Sequence, residues 1–466
     1  SSPEYPLPIR GDTGDCYFIQ MNTMENCDLI IIGAGPGGYE TAVDAANEGL
    51  SVTLIERDHL GGTCLNRGCI PTKTLCRSAE VANTVKESAS FGVTSGEWSI
   101  DYPTVTARKD KIVEELREGV ATLLKNVNLV TGEAKFITPS IVEANGVQYT
   151  APKIIIATGS KPIGLPIPGA ELAVSSDEIL SMTTLPKSIT IIGGGVIGME
   201  FASIFAAFGV DVTVVEYCKE ILPPFDAEIS KRLRMSLKRR GISIITGAQV
   251  TEIAPGIIVK YQAKGKEQQL NSEMVLMAVG RKPVIPEGLD SLGVVFNRNA
   301  IAVDDEMKII FNNGKQPEDV TLYAIGDVNG LCMLAHAATA QGKIALGHRQ
   351  NLTVIPSAVF TIPECAMVGM TEEQCVNANK NVKIGKATFR SNGKALAMGE
   401  PDGLVKVIVD AETDLLLGAH ICGAHAADLI QELATAMAAG LKASAITDTI
   451  HGHPTLTEVV KAAIPQ

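Results

Sequence analysis

A chain of 466 residues is long enough for about three domains, each with its own core. Its 45% hydrophobic and 20% charged residues exclude a disordered chain, and ten cysteines over this length exclude a secreted disulfide scaffold. A net charge of -12 argues against a nucleic-acid partner, because that binding rests on basic patches that release counterions.

Residues 1–23, polar and proline-containing, read as a leader; they lack the basic start and apolar core of a secretory signal, and Met21 or Met24 fits a natural start. Asp28 to Glu56 reads DLIIIGAGPGGYETAVDAANEGLSVTLIE: an apolar strand, a G-x-G-x-x-G turn, an alanine-rich helix pattern and a second strand ending in glutamate. Ser188 to Glu216, SITIIGGGVIGMEFASIFAAFGVDVTVVE, repeats the pattern, and in both copies the acid lies 23 residues after the first glycine. One such turn is weak, since strand-to-helix glycine turns occur without a ligand; two copies with matched acids point to two dinucleotides.

Gly33 and Gly193 would make the tight turns, Gly35 and Gly195 would admit a pyrophosphate, and Gly38 and Gly198 would let helix approach strand. Glu56 and Glu216 would take ribose hydroxyls, and each helix N-terminus would offer free N–H groups to phosphate. In the second copy a carboxylate repels a 2'-phosphate and no arginine lies between Asp211 and Ser230, so NAD rather than NADP is expected, with Lys219 as the opposing charge.

Between the copies, GGTCLNRGCIPTK (Gly61 to Lys73) sets Cys64 and Cys69 five residues apart. Zinc needs more ligands at close spacing and no second cysteine pair is near, so no metal is expected; an inert buried pair and a redox couple both stay open. Five residues along an ideal helix separate Cα atoms by about 8–9 Å, too far for a disulfide, so distortion at Gly68 and Pro71 is expected. A disulfide held in such geometry is of the labile, working kind.

IIIATGSKP (Ile154 to Pro162) and VLMAVGRKP (Val275 to Pro283) read as closing strands of two nucleotide domains, and a third strand and turn, TLYAIGD, ends at Asp327. Ile191 to Val210 approaches the length of a membrane span, but its central Glu200 and glycines oppose one. The basic run KRLRMSLKRRG (Lys231 to Gly241) reads as a solvated helix face, because Ile229, Leu233 and Leu237 recur at helical spacing. VKVIVD (Val405 to Asp410) and the helix pattern Asp428 to Leu441 imply a mixed α+β domain. HGHPTLTE (His451 to Glu458) fits a capping box, Thr455-x-x-Glu458, ahead of a helix over Val459 to Ile464, and from these letters alone the cap is favoured.

Taken together, GAGPGGYE, GGTCLNRGCIPTK, ATGSKP, GGGVIGMEF, ILPPFDAEI, AVGRKP, AIGDVNGLCMLAH and HGHPTLTE occur in one order over nearly everything after the leader. From about Cys27 onward the chain thereby resembles the class I flavin-dependent pyridine nucleotide disulfide oxidoreductases. The resemblance implies an α/β fold with two Rossmann-like dinucleotide-binding domains, for FAD and NAD, plus a C-terminal α+β dimerisation domain. It divides the chain into 24–158 (FAD-binding, first part), 159–282 (NAD-binding), 283–352 (central, second part of the FAD-binding domain) and 353–466 (dimerisation).

The resemblance also implies FAD on the first fingerprint, with Asp327 at its ribityl and phosphate region and backbone contacts from Ala134 and Ala335, and NAD on the second, near Val250 and Gly280. Further cofactor contacts are implied for Thr63, Lys73, Thr158, Gly159 and Arg281. Cys69 is implied as the charge-transfer thiol against the flavin and Cys64 as the interchange thiol, with Lys73 beside the flavin and Glu200 approaching it. His453 becomes the acid/base, held by Glu458 and reaching the cysteines of the opposite subunit of a homodimer; His451 is structural.

The implied reaction is NAD-dependent oxidation of protein-bound dihydrolipoamide in a reducing, cytoplasmic compartment. The lipoyl group is expected to arrive on the acyltransferase of a 2-oxo acid dehydrogenase complex or on a glycine-cleavage carrier. A glutathione-like disulfide reductase is opposed by Glu216, a mercuric reductase by the KAAIPQ end without a cysteine pair, and a silent flavoprotein scaffold by the complete set of redox residues. Two departures from the family pattern stand out: Arg67 between the cysteines, where a small apolar residue is usual, and Asn392-Gly393-Lys394-Ala395 in place of an arginine-containing form.

Overall fold

The computed structural model describes residues 24–465, so the leader expected at residues 1–23 lies outside the described residues. Two five-stranded parallel sheets carry the two fingerprints. The first runs Thr321–Ala324, Lys153–Ile156, Leu29–Ile32, Val52–Glu56, Asn128–Thr131. The second runs Val174–Ser175, Met274–Met277, Ser188–Ile192, Asp211–Glu216, Ser243–Thr246. Helices cover such sheets on both faces, which is why their central strands are unbroken apolar runs, with all four residues of Leu29–Ile32 buried. In each sheet the fingerprint strand is central, so crossovers leave it in both directions and open a crevice at its carboxyl end.

The strands read as closing strands are not edges. Lys153–Ile156 and Met274–Met277 each lie one position in, flanked by Thr321–Ala324 and Val174–Ser175, because a segment distant in sequence completes each sheet. The turns that follow them pair with each other: Ser160–Pro162 and Arg281–Pro283 form a two-stranded antiparallel ribbon joining the halves of the repeat.

Gly198 carries the close helix-to-strand contact. A Cβ there would stand 2.0 Å from the Gly193 carbonyl oxygen, so helix Val196–Ala207 would have to withdraw. Gly198→Ala is expected to cost about 1–3 kcal/mol of stability, read by urea unfolding at equilibrium; an unchanged midpoint would show that the helix has slack.

The third sheet is antiparallel, in the order Ser357–Val359, Glu364–Gly369, Leu416–Gly423, Leu404–Asp410, Val382–Thr388. Helix Ala426–Ala438 packs its buried Leu429, Ile430 and Leu433 into the core of this domain. It ends three residues before the expected Leu441, because Gly440 takes the left-handed conformation (φ +64) that terminates helices. The basic run lies on helix Ala227–Arg239, with Ile229, Leu233 and Leu237 fully buried. Its cations reach surface acids, Arg239 to Asp402 and Arg234 to Glu220, as a solvated face should. Among the described residues no helix is long and apolar enough to cross a membrane; Ile191 to Val210 divides into strand, turn and helix.

Candidate functional site

Both fingerprints open into one cavity of about 1300 Å³. Three helices point their N-termini into it: Pro36–Asn47, Val196–Ala207 and Ala335–Ala345. Their N-cap residues, Gly35, Gly195 and Leu334, offer no side-chain cap. The first-turn N–H groups are therefore left for an anion, and the helix dipoles favour one. A Cβ on Gly195 would meet nothing within 4 Å, which is the open space a pyrophosphate needs. Gly33 and Gly193 both have positive φ, +102 and +109, and hold the turns against the Ala157 and Ala278 carbonyls. These features fit two dinucleotides, one on each fingerprint.

The repeat extends to hydrogen bonds. Glu56 accepts from the backbone N–H of Ala34 at 2.6 Å and of Asp58 at 2.8 Å; Glu216 accepts from those of Gly194 and Cys218. Each carboxylate is thus aimed by its own fingerprint turn and keeps lone pairs for a ligand hydroxyl. Burial pushes the Glu56 carboxyl above its usual range, with the Ala34 N–H opposing that shift. Lys219 is exposed and does not line the cavity, whereas Glu216 does.

At the junction of the two halves sits the cysteine pair. GGTCLNRGCIPTK folds as a short helix, Gly62–Arg67, and a long one, Cys69–Glu87, broken at Gly68. A Cβ on Gly68 would come within 2.9 Å of the Thr63 carbonyl oxygen. Pro71, expected to share the distortion, instead lies in the first turn of the second helix, where its missing N–H costs nothing. Both cysteines are free thiols on the cavity wall and interact with each other. The Cys64 thiol, hydrogen-bonded to Cys69, lowers the Cys69 pKa to about 7 against the opposing effect of burial, with Lys73 adding a favourable charge. Cys64 is pushed well above the ordinary thiol range by the same contact and by burial.

Lys73, one turn along from Cys69, reaches Glu200 on helix Val196–Ala207, with both carboxylate oxygens at 2.9 Å from Nζ. Burial works against the ammonium, but Glu200 outweighs it and keeps Lys73 above its usual range. Phe360, which the sequence did not single out, completes this point: its ring centroid is 4.5 Å from Lys73 Nζ and its N–H donates to Glu200 at 3.0 Å. No local signal marks Phe360, because it comes from the start of the third sheet's domain.

Asp327 is held by the Ser160 hydroxyl, and Ser160 in turn accepts from Arg281 Nε at 2.8 Å. Ser160 was also missed, although it occupies in ATGSKP the position that Arg281 occupies in AVGRKP. Thr63, Thr158, Gly159, Val250, Gly280 and Ala335 all line the cavity. Ala134 does not; its side chain is buried in a core cluster with Phe136 and Ile156. Gly38 and Gly198 also lie behind the wall, packed on Gly33 and Gly193. Arg67 is tied to Asp58 at the rim near Glu56, so its charge serves that end of the cavity rather than the sulfurs.

His453 lies elsewhere, its side chain 79% exposed and outside the cavity lining. Its Nδ1 is 2.9 Å from Glu458 Oε1, and Glu458 Oε2 accepts from the Thr455 N–H at 2.9 Å. The capping box is only half formed: helix Thr457–Ala462 begins with Leu456 as N-cap, and the Thr455 hydroxyl turns back to the Gly452 carbonyl. The helix starts two residues earlier than expected and ends at Ala462, ahead of Pro465. His451, 7% exposed and bound to Glu432 at 2.9 Å, is structural. Asn392 caps helix Gly393–Ala397 and donates to the Thr455 carbonyl at 3.0 Å, so the divergent Asn392 segment buttresses the His453 turn.

Known proteins share this layout. A dihydrolipoyl dehydrogenase of Bacillus subtilis is 40% identical, covering 94% of this chain and 97% of its own length. One of Geobacillus stearothermophilus is 38% identical, covering 94% and 95%. The solved HOCl-induced flavoprotein disulfide reductase RclA from Escherichia coli superposes with a TM-score of 0.81 at 29% identity, covering 94% of this chain and 99% of that one. Residues 355–464 match the dimerisation domain of the pyridine nucleotide-disulphide oxidoreductases, which supports a homodimer. With residues 27–342 matching that family's main domain, across both fingerprints and the thiols between them, the chain belongs to the pyridine nucleotide-disulphide oxidoreductases.

Proposed function

We propose that the protein is an NAD-dependent dihydrolipoyl dehydrogenase, with FAD on the first fingerprint and NAD on the second. The observation that carries this reading is the placement of the sulfur pair: Cys64 and Cys69 meet on the wall of the cavity that both fingerprints open into, and Lys73 paired with Glu200 stands beside them. Bound FAD supplies a two-electron link between thiol chemistry and the nicotinamide.

The first-turn N–H groups of Pro36–Asn47 and Val196–Ala207 bind the pyrophosphates, and Glu56 and Glu216 fix the riboses. In the oxidised protein Cys64 and Cys69 are joined as a disulfide. His453 takes the proton from one substrate thiol, and the thiolate attacks the Cys64 sulfur. The Cys64–Cys69 bond breaks and Cys69 leaves as the thiolate, which its low pKa and Lys73 favour. The second substrate thiol then loses its proton to solvent and attacks the mixed disulfide, closing the lipoyl ring, while the departing Cys64 sulfur takes the proton held by His453. One disulfide is consumed and one formed, so electrons balance, and ring closure is intramolecular and fast. Lys73 stabilises negative charge gained on reduction, and Glu200 holds it in place.

The lipoyl group arrives on a separate carrier, the acyltransferase of a 2-oxo acid dehydrogenase complex or a glycine-cleavage protein, within a reducing, cytoplasmic compartment. His453 serves the cysteines of a second copy. The test is a pair of steady-state assays, dihydrolipoamide with NAD against glutathione disulfide with NADPH. The first pair should be preferred by at least about 100-fold in kcat/KM; preference for the second would overturn the reading.

A further inference from the structure

The ILPPFDAEI segment takes no part in the chemistry above, yet it ends in a buried charge cluster. Lys406, in strand Leu404–Asp410 of the third sheet, is 2% exposed. Its Nζ lies 3.0 Å from both oxygens of Asp226, 2.5 Å from Glu372 and 3.4 Å from Glu228. Asp226, itself 2% exposed, caps helix Ala227–Arg239 by accepting from the Glu228 N–H at 3.0 Å, and it accepts from the Glu372 N–H at 3.3 Å. His420, opposite Lys406 on the neighbouring strand, is fully buried and adds an imidazole held neutral by burial. Removing this much charge from water is costly, so such a cluster is a poor source of net stability and a better one of docking specificity.

The route from this cluster to the cavity is short and stiff. Leu222, fully buried, is held at φ +48, a conformation costly for a leucine. Its N–H donates to the Gly194 carbonyl at 2.9 Å, and its own carbonyl accepts from Phe225 at 2.9 Å. Pro223 and Pro224, which follow it, line the cavity. Gly194 is the middle glycine of GGG, and its N–H aims Glu216. Ile221 also presses on Gly194, its Cγ2 lying 3.1 Å from where a Cβ would be.

We propose that Lys406 and Asp226 form a positioning clamp: docking of Asp226 on the third sheet holds the connector Ile221 to Asp226, and through Leu222 and Gly194 it sets the turn that receives the pyridine nucleotide. The proposal rests on the reading that the second fingerprint binds NAD. Affinity for the nucleotide is then set partly by a residue of the C-terminal domain that touches neither nucleotide nor substrate.

The test is fluorescence titration of the full-length flavoprotein with NADH, alongside steady-state KM for dihydrolipoamide. In Lys406→Met and Asp226→Asn the NADH Kd should rise about five-fold or more. The dithiol KM should stay within about two-fold, as should both constants in Lys111→Ala, whose surface pair with Glu115 shares no member with the clamp. A folded variant with unchanged NADH Kd overturns the clamp, and so does a dithiol KM that rises by the same factor, which marks general loosening. Should the core variants fail to fold, Glu372→Gln removes the half-exposed partner alone, and a rise in NADH Kd of about two-fold or more supports the clamp while none overturns it. Binding needs no turnover: a parent protein that binds NADH but leaves dihydrolipoamide untouched refutes the substrate reading while the Kd comparison still decides the clamp. A parent that does not bind NADH overturns both.

Discussion

Cys64→Ala is expected to lower dihydrolipoamide turnover by about 10⁴-fold or more, because the proposed mechanism then lacks the sulfur that accepts the substrate thiolate. It is also expected to raise the pH at which Cys69 ionises. The hydrogen bond from Cys64 is the largest influence holding Cys69 at about 7, and without it Lys73 and a backbone hydrogen bond stand against burial and the Glu200 charge. Cys69 is a neutral thiol below its pKa and a thiolate above it, so the thiolate absorbance of the reduced protein rises with pH. In the variant that curve moves to higher pH. Electron transfer from NADH to an artificial acceptor, which needs no disulfide, should persist. A midpoint still near 7 would show that the Cys64 hydrogen bond does not set the thiolate.

The second large effect is at His453. His453→Gln should reduce dithiol turnover by about 10²–10⁴-fold while leaving NADH oxidation by an artificial acceptor unchanged. The geometry behind this is the imidazole's exposure and orientation: Glu458 holds Nδ1 at 2.9 Å, so Nε2 is free to take a proton. The Thr455 N–H and His453 together hold the Glu458 carboxyl below its usual range, so it remains a charged partner for an imidazolium. His453 does not line the cavity of its own chain, so the proposed mechanism draws its base from a second copy. Mixing and reassociating Cys64→Ala with His453→Gln provides the decisive readout. Each mixed dimer then carries one intact site and one doubly defective site. Random reassociation makes half the dimers mixed, so activity should return to about a quarter of the parent level. No recovery, with mixed dimers shown to have formed, would place the histidine's action within one chain.

Much of this architecture is legible in the sequence. The two glycine turns, their acids and the sulfur pair are visible because each is local: a positive φ at Gly33 and Gly193, a helix packed on its own turn at Gly38 and Gly198, a break at Gly68. The apolar strands are visible for the same reason, since burial on both faces writes itself into four or five consecutive residues. Helix ends were less legible, as Gly440 and Thr455 show, because a cap depends on which carbonyl or N–H the chain brings near.

The sequence by itself determined the class of fold, the two dinucleotide sites and the redox chemistry, because those depend on backbone conformations and residue types at fixed short spacings. Only the tertiary structure decided how the parts meet. Lys73 finds Glu200 across 127 residues and Phe360 from another domain, and Ser160 bridges Arg281 to Asp327. Arg67 turns to Asp58 instead of the sulfurs, and Lys406 takes Asp226 across 180 residues. Such pairings follow from how whole sheets and helices pack, and no short-range pattern encodes a contact whose partner is chosen by the folding of the rest of the chain.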